Sequence, residues 1–121
     1  MTDTIRAGTP ASQLAAAALI RLAETAQAAP YLVREGIIDR AAAIALLAIA
    51  ADQAASPDGC CACGQRDIAR RAGTSQPYLA SIGLPQLIDA GLVARGRDGR
   101  RAVYTVSWDA VRAAATDGGW Q

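Results

Sequence analysis

The sequence contains no histidine, and because all twelve basic residues are arginine it contains no lysine either. Histidine and lysine are common general acids and bases, and lysine is also a frequent nucleophile. No hydroxyl or thiol is paired with a base in any familiar pattern, and no glycine-rich phosphate loop follows a predicted strand. We therefore expect no catalytic residue and no enzymatic activity.

Cysteine is scarce, and the three that occur, Cys60, Cys61 and Cys63, lie within four residues of one another. A structural zinc site usually takes four ligands with paired cysteine spacing, so three thiols without histidine support such a site poorly. The cluster is compatible with a soft ion such as As(III), Cu(I), or Zn(II) completed by another ligand. Redox-sensing thiols and incidental thiols of a cytosolic loop are the alternative interpretations. No cofactor is certain.

The chain also lacks a long uninterrupted apolar run. Pro10 is followed by an alanine-rich segment that Arg21 and Glu24 interrupt, which is unlike a signal peptide or a membrane span. We expect a cytoplasmic protein that does not enter the membrane. With 121 residues, 52% of them hydrophobic, the chain has the size and composition of one domain with one core.

Charge is unevenly distributed along the chain. Residues 1–64 hold four arginines against six acidic residues, a net charge of −2, whereas residues 65–121 hold eight arginines against five aspartates, a net charge of +3. The second half is therefore the better candidate for contact with an anionic partner.

Two helices are predicted in the first half of the chain. Residues 10–28 form the first, which Pro30 is expected to end, and residues 31–36 are a candidate further turn. Asp39 is predicted to cap a second helix over residues 40–54, which is apolar nearly all round. The predicted core residues of this second helix are Ile44, Leu46, Leu47 and Ile49.

A helix, a sharp turn and a second helix start follow the cysteine cluster. Residues 66–72 are predicted to form a short amphipathic helix that places Ile68, Ala69 and Ala72 on one face. Gly73 is expected to end that helix in a left-handed conformation. Ser75 can then cap a new helix in which Pro77 occupies a first-turn position.

An arginine-rich hairpin follows the second helix. Gly91 is expected to close the helix, and Asp98-Gly99 is a strong two-residue turn signal. Residues 102–106 have the β-branched and aromatic content of a returning strand, in which Val103 and Val106 are expected in the core together with Leu92. Four arginines belong to this hairpin: Arg95, Arg97, Arg100 and Arg101.

The run RDIARRAGTSQPYLASIGLPQLIDAGLVARGRDGRRAVYTV, about a third of the chain, resembles a winged helix-turn-helix bacterial transcriptional regulator of the broad MarR-like and ArsR-like group. The specific part combines the turn, the SQPYL helix start and the AGLV junction. One departure is that the segment from Thr74 to Val93 is one residue longer than the usual pattern, with Pro85 where an uninterrupted helix is expected. We predict a kink or a restart of the helix there.

The resemblance implies a mainly α fold with a small β-hairpin wing and flanking N- and C-terminal helices. It divides one domain, residues 1–121, into an N-terminal helical extension for dimerisation (1–38), a winged helix-turn-helix core (39–108) and a C-terminal helix and tail (109–121). Asp109 is predicted to cap that last helix. A surplus of apolar helix faces supports a homodimer, although both flanking helices would also serve to cover the core of a monomer.

The implied function is sequence-specific binding of double-stranded DNA by a homodimeric repressor, with the second helix in the major groove and the hairpin on the flanking backbone. A plasmid or phage maintenance DNA-binding protein and a winged-helix protein-interaction module are the alternatives. Tyr78 has a second interpretation, in which it packs back onto its helix start. The residues predicted to contact DNA are Arg66, Thr74, Ser75, Gln76, Tyr78, Ser81, Arg95, Arg97, Arg100 and Arg101.

Overall fold

The computed structural model describes residues 10–55 and 64–117, which are mainly helical and include a two-stranded antiparallel sheet. This confirms the predicted combination of helices with a β-hairpin. The elements in chain order are α1 (Pro10–Arg34), α2 (Arg40–Ala55), α3 (Gln65–Ala72), α4 (Gln76–Tyr78), a π-helical segment (Leu79–Gly83), α5 (Leu84–Asp89), β1 (Val93–Asp98), β2 (Arg101–Val106) and α6 (Trp108–Asp117).

The first helix is longer than predicted, because Pro30 does not end it. Proline removes one backbone donor and crowds the carbonyl four residues earlier, here that of Ala26. Ala26 and Pro30 are both exposed, so water can solvate that carbonyl. Continuing the helix buries Leu32 in the core. The predicted separate turn over residues 31–36 is therefore mostly the last turn of α1.

Helix α2 lies at the centre of the fold and packs against α1, α3, α5 and β2. Asp39 caps it as predicted, since its Oδ1 accepts a hydrogen bond from the Ala42 N–H at 2.8 Å. Leu46 and Ile49 are fully buried. The prediction was wrong for Ile44, which is 39% exposed because it lies in an open groove beside α1, and Leu47 is only half-buried.

The last helix packs against the first, and Ser107 rather than Asp109 caps it. The Ser107 hydroxyl accepts a hydrogen bond from the Ala110 N–H at 3.3 Å, so the helix begins at Trp108, one residue earlier than predicted. Arg21 of α1 lies over the Trp108 ring at 5.3 Å. Glu24 and Arg112 form an ion pair at 2.9 Å, which raises the pKa of Arg112.

The two strands form a hairpin whose register pairs Val93 with Val106, and its loop is Gly99-Arg100. The turn therefore lies one residue later than the predicted Asp98-Gly99. Gly99 has a φ of +66°, which places the residue that tolerates positive φ at the first loop position. Among the described residues, no helix combines the length and the apolar character that a membrane span requires.

Candidate nucleic-acid interface

The turn between α3 and α4 has the local structure that the sequence predicted. Gly73, at φ +71°, ends α3, and the Thr74 N–H donates to the Ala69 carbonyl at 3.0 Å. The Ser75 hydroxyl accepts a hydrogen bond from the Tyr78 N–H at 3.2 Å, with Pro77 in the first helical turn. Three buried residues, Ile68, Ala69 and Ala72, hold α3 against the core as predicted.

Helix α4, the π-helical segment and α5 run without a break over residues 76–89, and together we call them the composite helix. The restart that was one of the two alternatives near Pro85 does not occur, because residues 76–89 are helical throughout. Instead, the Leu84 N–H donates to the carbonyl of Leu79, five residues back, so the helix is locally wider. A π-helical turn accommodates one additional residue, and it eases the clash that a proline ring makes in a regular α-helix.

The wider turn explains which side chains of the composite helix are buried. In a regular α-helix Leu79 and Leu84 would point about 140° apart, because each residue advances about 100°. Both are buried here, as is Leu87. The π-helical turn therefore keeps one apolar face along the whole length of the composite helix.

The outer face of the composite helix presents Gln76, Ser81 and Ile82, all exposed. Within the described residues, neither Gln76 nor Ser81 makes a side-chain hydrogen bond, so both are available to an external ligand. Thr74 is half-buried, whereas Ser75 is exposed and its hydroxyl accepts the capping bond. Ile82 is 43% exposed and was not anticipated as a site residue.

Tyr78 is turned toward the protein rather than outward. Its hydroxyl donates to Oδ2 of Asp39, at the start of α2. Gln86 of α5 completes the contact: its Oε1 accepts from the Asp39 N–H at 2.8 Å, and its Nε2 donates to Oδ2 at 3.3 Å. Asp39, Tyr78 and Gln86 are hereafter the anchor network, which fixes the composite helix to α2.

The anchor network shifts two titrations. Partial burial raises the pKa of the Asp39 carboxyl, but hydrogen bonds from Tyr78, Ala42 and Gln86 outweigh it, so the pKa lies below its ordinary value. The hydrogen bond to the Asp39 carboxylate raises the pKa of Tyr78. Asp39 is therefore a carboxylate at neutral pH and an acceptor for the tyrosine.

The hairpin presents arginines beyond the edge of the core. Side chains of paired residues share a face, so Arg95 lies on the same face as the buried Tyr104, and Arg97 on the same face as Ala102. Arg95, Arg97 and Arg100 are exposed, with Arg100 in the loop. The backbone of Arg101 opens β2, and its side chain lies outside the described part of the structure.

Two glutamines attach this hairpin to the helices. Gln53 of α2 is 5% exposed, and its Oε1 accepts from the Val106 N–H at 2.6 Å. Gln65, at the start of α3, donates from Nε2 to the Tyr104 hydroxyl at 3.0 Å. Sequence reasoning assigned neither residue a role, because a long-range hydrogen bond leaves no local pattern.

The basic residues of α3 differ in their pairing. Arg70 forms an ion pair with Asp67 at 2.9 Å, one turn away, whereas Arg66 and Arg71 are exposed without an ion pair inside residues 64–117. An exposed pair of this kind contributes little stability. Arg66, which was predicted to contact DNA, is exposed and is not held by an ion pair among residues 64–117.

The predicted soft-ion ligands, Cys60, Cys61 and Cys63, lie outside the described residues. Comparison of the chain with protein-family models, with curated proteins and with solved structures finds no match.

Proposed function

We propose that the chain is a winged helix-turn-helix protein that binds double-stranded DNA sequence-specifically, and that it acts as a homodimeric transcriptional repressor. One observation carries the proposal. A capped helix start that exposes Gln76 and Ser81 is followed along the chain by a hairpin that exposes Arg95, Arg97 and Arg100. Polar groups at a helix start suit base edges, and clustered guanidinium groups suit phosphates.

In the proposed mechanism the first turns of the composite helix enter the major groove. The Gln76 amide can bond both N6 and N7 of an adenine, Ser81 can bond a base or a phosphate, and Ile82 can contact a thymine methyl group. Tyr78 contributes by position, because its hydroxyl is held by Asp39. The anchor network then keeps the reading face at a fixed orientation to α2.

The hairpin supplies affinity that is largely independent of sequence. Arg97 and Arg100 contact phosphates on the flanking backbone, and each contact releases counterions, so binding weakens as salt rises. Arg95, which is nearer the core, contacts the DNA backbone between the hairpin and the composite helix.

A homodimer would place two composite helices on the half-sites of a palindrome, about 34–36 Å apart. Leu19 and Ile20 of α1 support self-association, because they are 68% and 57% exposed on a helix that is otherwise packed on α2 and α6. Cytoplasmic localisation belongs to the same proposal.

One observation favours a second candidate, a protein-docking module. Ile82 and Ile88 expose 43% and 38% of their surface on the composite helix, and exposed apolar side chains also suit a protein partner. A docking module would be indifferent to duplex DNA.

The test is selection of duplexes from a randomised pool, followed by fluorescence-anisotropy titration of the enriched duplex and a scrambled one at two salt concentrations. We expect preference for the enriched duplex, with relaxed preference at one base position in Gln76→Ala. Arg97→Ala and Arg100→Ala should weaken binding to both duplexes and flatten the salt dependence, whereas Arg34→Ala on α1 should behave as wild type. Equal, weak binding of every duplex would support the docking module instead.

A further inference from the structure

An apolar groove of about 470 Å³ lies between the second half of α1 and the first half of α2. Its walls are mostly aliphatic. The lining side chains include Ala26, Val33, Ile44, Leu47, Arg34 and Arg40. The volume falls in the range of small-molecule sites, and the composition of the walls is that of a site for an apolar ligand body. None of the proposed DNA-contacting residues lines it.

The described charged residues that line the groove are all positive. Among the described residues, Arg34 and Arg40 are the charged ones that line it, and none of the lining residues is acidic. Arg40 is exposed and has no ion pair within the described chain. Arg34 reaches Glu35 only at 4.0 Å, with both side chains at least half exposed, so its charge is not effectively neutralised.

The two arginines also lie at one end of the groove. Only residues 35–39 connect α1 to α2, so Arg34, the last residue of α1, and Arg40, the first of α2, flank the same loop. Ala26 and Leu47 lie about two turns further along their helices, roughly 10–12 Å away at 1.5 Å per residue. The groove therefore has a cationic end and an apolar stem.

We propose that this groove binds one medium-chain fatty acid, with its carboxylate between Arg34 and Arg40 and its tail along Val33, Ile44 and Leu47. A guanidinium pair suits a carboxylate, and burial of the tail covers the exposed part of Ile44. Decanoate has twelve non-hydrogen atoms, or roughly 360 Å³ if each occupies about the ~30 Å³ of a water molecule. It fits the groove, and the proposal does not depend on DNA binding.

Isothermal titration calorimetry of the full chain with decanoate tests the proposal. We expect saturable one-to-one binding in the micromolar range. Butyrate keeps the carboxylate without the tail, and decyltrimethylammonium keeps the tail with the opposite charge, so both should bind at least tenfold more weakly.

Variants locate the site. The double variant Arg34→Gln/Arg40→Gln should weaken decanoate binding at least tenfold, and Ala26→Phe, which extends an exposed side chain into the stem, should abolish it. Arg71→Gln removes an exposed arginine from α3 and is the matched control, with binding unchanged. Circular-dichroism melting establishes that each variant is folded, and the double variant decides alone if Ala26→Phe does not fold.

Three results would overturn the proposal. The first is absence of saturable binding, and the second is equal binding of decanoate and decyltrimethylammonium. The third is a dimer in analytical ultracentrifugation that Ala26→Phe dissociates and decanoate does not perturb, because a second copy of the chain would then cover the groove.

Discussion

Removing the Asp39 side chain tests whether the composite helix is fixed to α2 as the structure indicates. In Asp39→Ala, Ala42 loses the acceptor of its N–H, and the Tyr78 hydroxyl and Gln86 Nε2 lose a shared carboxylate oxygen. The Asp39 N–H keeps its bond to Gln86 Oε1. The substitution therefore removes a helix cap and a tertiary link together.

The expected cost follows from these two contributions. Loss of an N-cap costs about 1 kcal/mol. The bond from Tyr78 has a charged acceptor, but Asp39 is only half-buried, so solvent screening leaves it about 1 kcal/mol. The 3.3 Å bond from Gln86 adds little. The sum is about 2 kcal/mol, which lowers Tm by roughly 8 °C at ~4 °C per kcal/mol.

Urea unfolding of four proteins separates the cap from the link. Tyr78→Phe removes only the hydroxyl and should cost about 1 kcal/mol. The double variant Asp39→Ala/Tyr78→Phe should cost about 2 kcal/mol rather than 3, because both single changes remove the same bond. Additive costs in this cycle would refute the link, and a cost below about 0.5 kcal/mol for Asp39→Ala would refute the cap as well.

The pH dependence gives an independent check. The folded-state pKa of Asp39 lies below its ordinary value because its hydrogen bonds outweigh burial. The resulting stability is present above the unfolded pKa of about 3.9 and is lost as pH falls through the folded pKa. The advantage of the wild type over Asp39→Asn in urea midpoints should therefore disappear in strong acid. If the difference is the same at pH 2.5 and pH 7, the carboxylate charge is not its source.

Three further predictions concern other parts of the fold. Gln53→Ala leaves the buried Val106 N–H without its acceptor and should cost about 1–3 kcal/mol in urea unfolding, and a neutral result would show that the hairpin needs no such bond. Gly91→Ala forces a methyl group onto a residue at φ +74° and should cost about 1 kcal/mol, with Gly91→Asn less costly; equal effects would argue against conformational strain. Arg97→Ala/Arg100→Ala should reduce the slope of log affinity against log salt by up to about 2, while an unchanged slope would exclude both as phosphate contacts.

Local signals predicted the parts of the fold that local physics controls. Gly73 and Gly91 end helices at positive φ, and Ser75 caps the composite helix, because each requirement falls on one residue and its immediate neighbours. Pro30 shows the limit of such signals. Proline does destabilise a helix interior locally, but burial of Leu32 on the other side of the helix outweighs that cost. This burial depends on tertiary packing, which a local signal does not contain.

The candidate site was predictable to a similar extent. The order of polar residues in the sequence, with Gln76 at a helix start and the arginines on a later hairpin, predicted a DNA-contacting surface. The structure leaves Gln76 exposed. The sequence also placed Tyr78 among the groove contacts, whereas the hydroxyl is bound to Asp39, thirty-nine residues earlier. Ile82 was missed because the phase of the helix after Leu79 depends on the π-helical turn.

Helix α2 controls the separation between the two parts of the proposed interface. Asp39 precedes its first residue and holds the composite helix, and Gln53 near its end holds the hairpin, about 21 Å further along at 1.5 Å per residue. Neither polar residue contacts the outer surface where DNA would bind. Substitutions of Asp39 or Gln53 should lower the free energy of unfolding, and should lower DNA affinity only indirectly, by misplacing the composite helix or the hairpin. Gln76→Ala and Arg100→Ala should instead lower DNA affinity at unchanged stability. That contrast separates a DNA-reading surface held by α2 from a fold whose exposed arginines bind nothing.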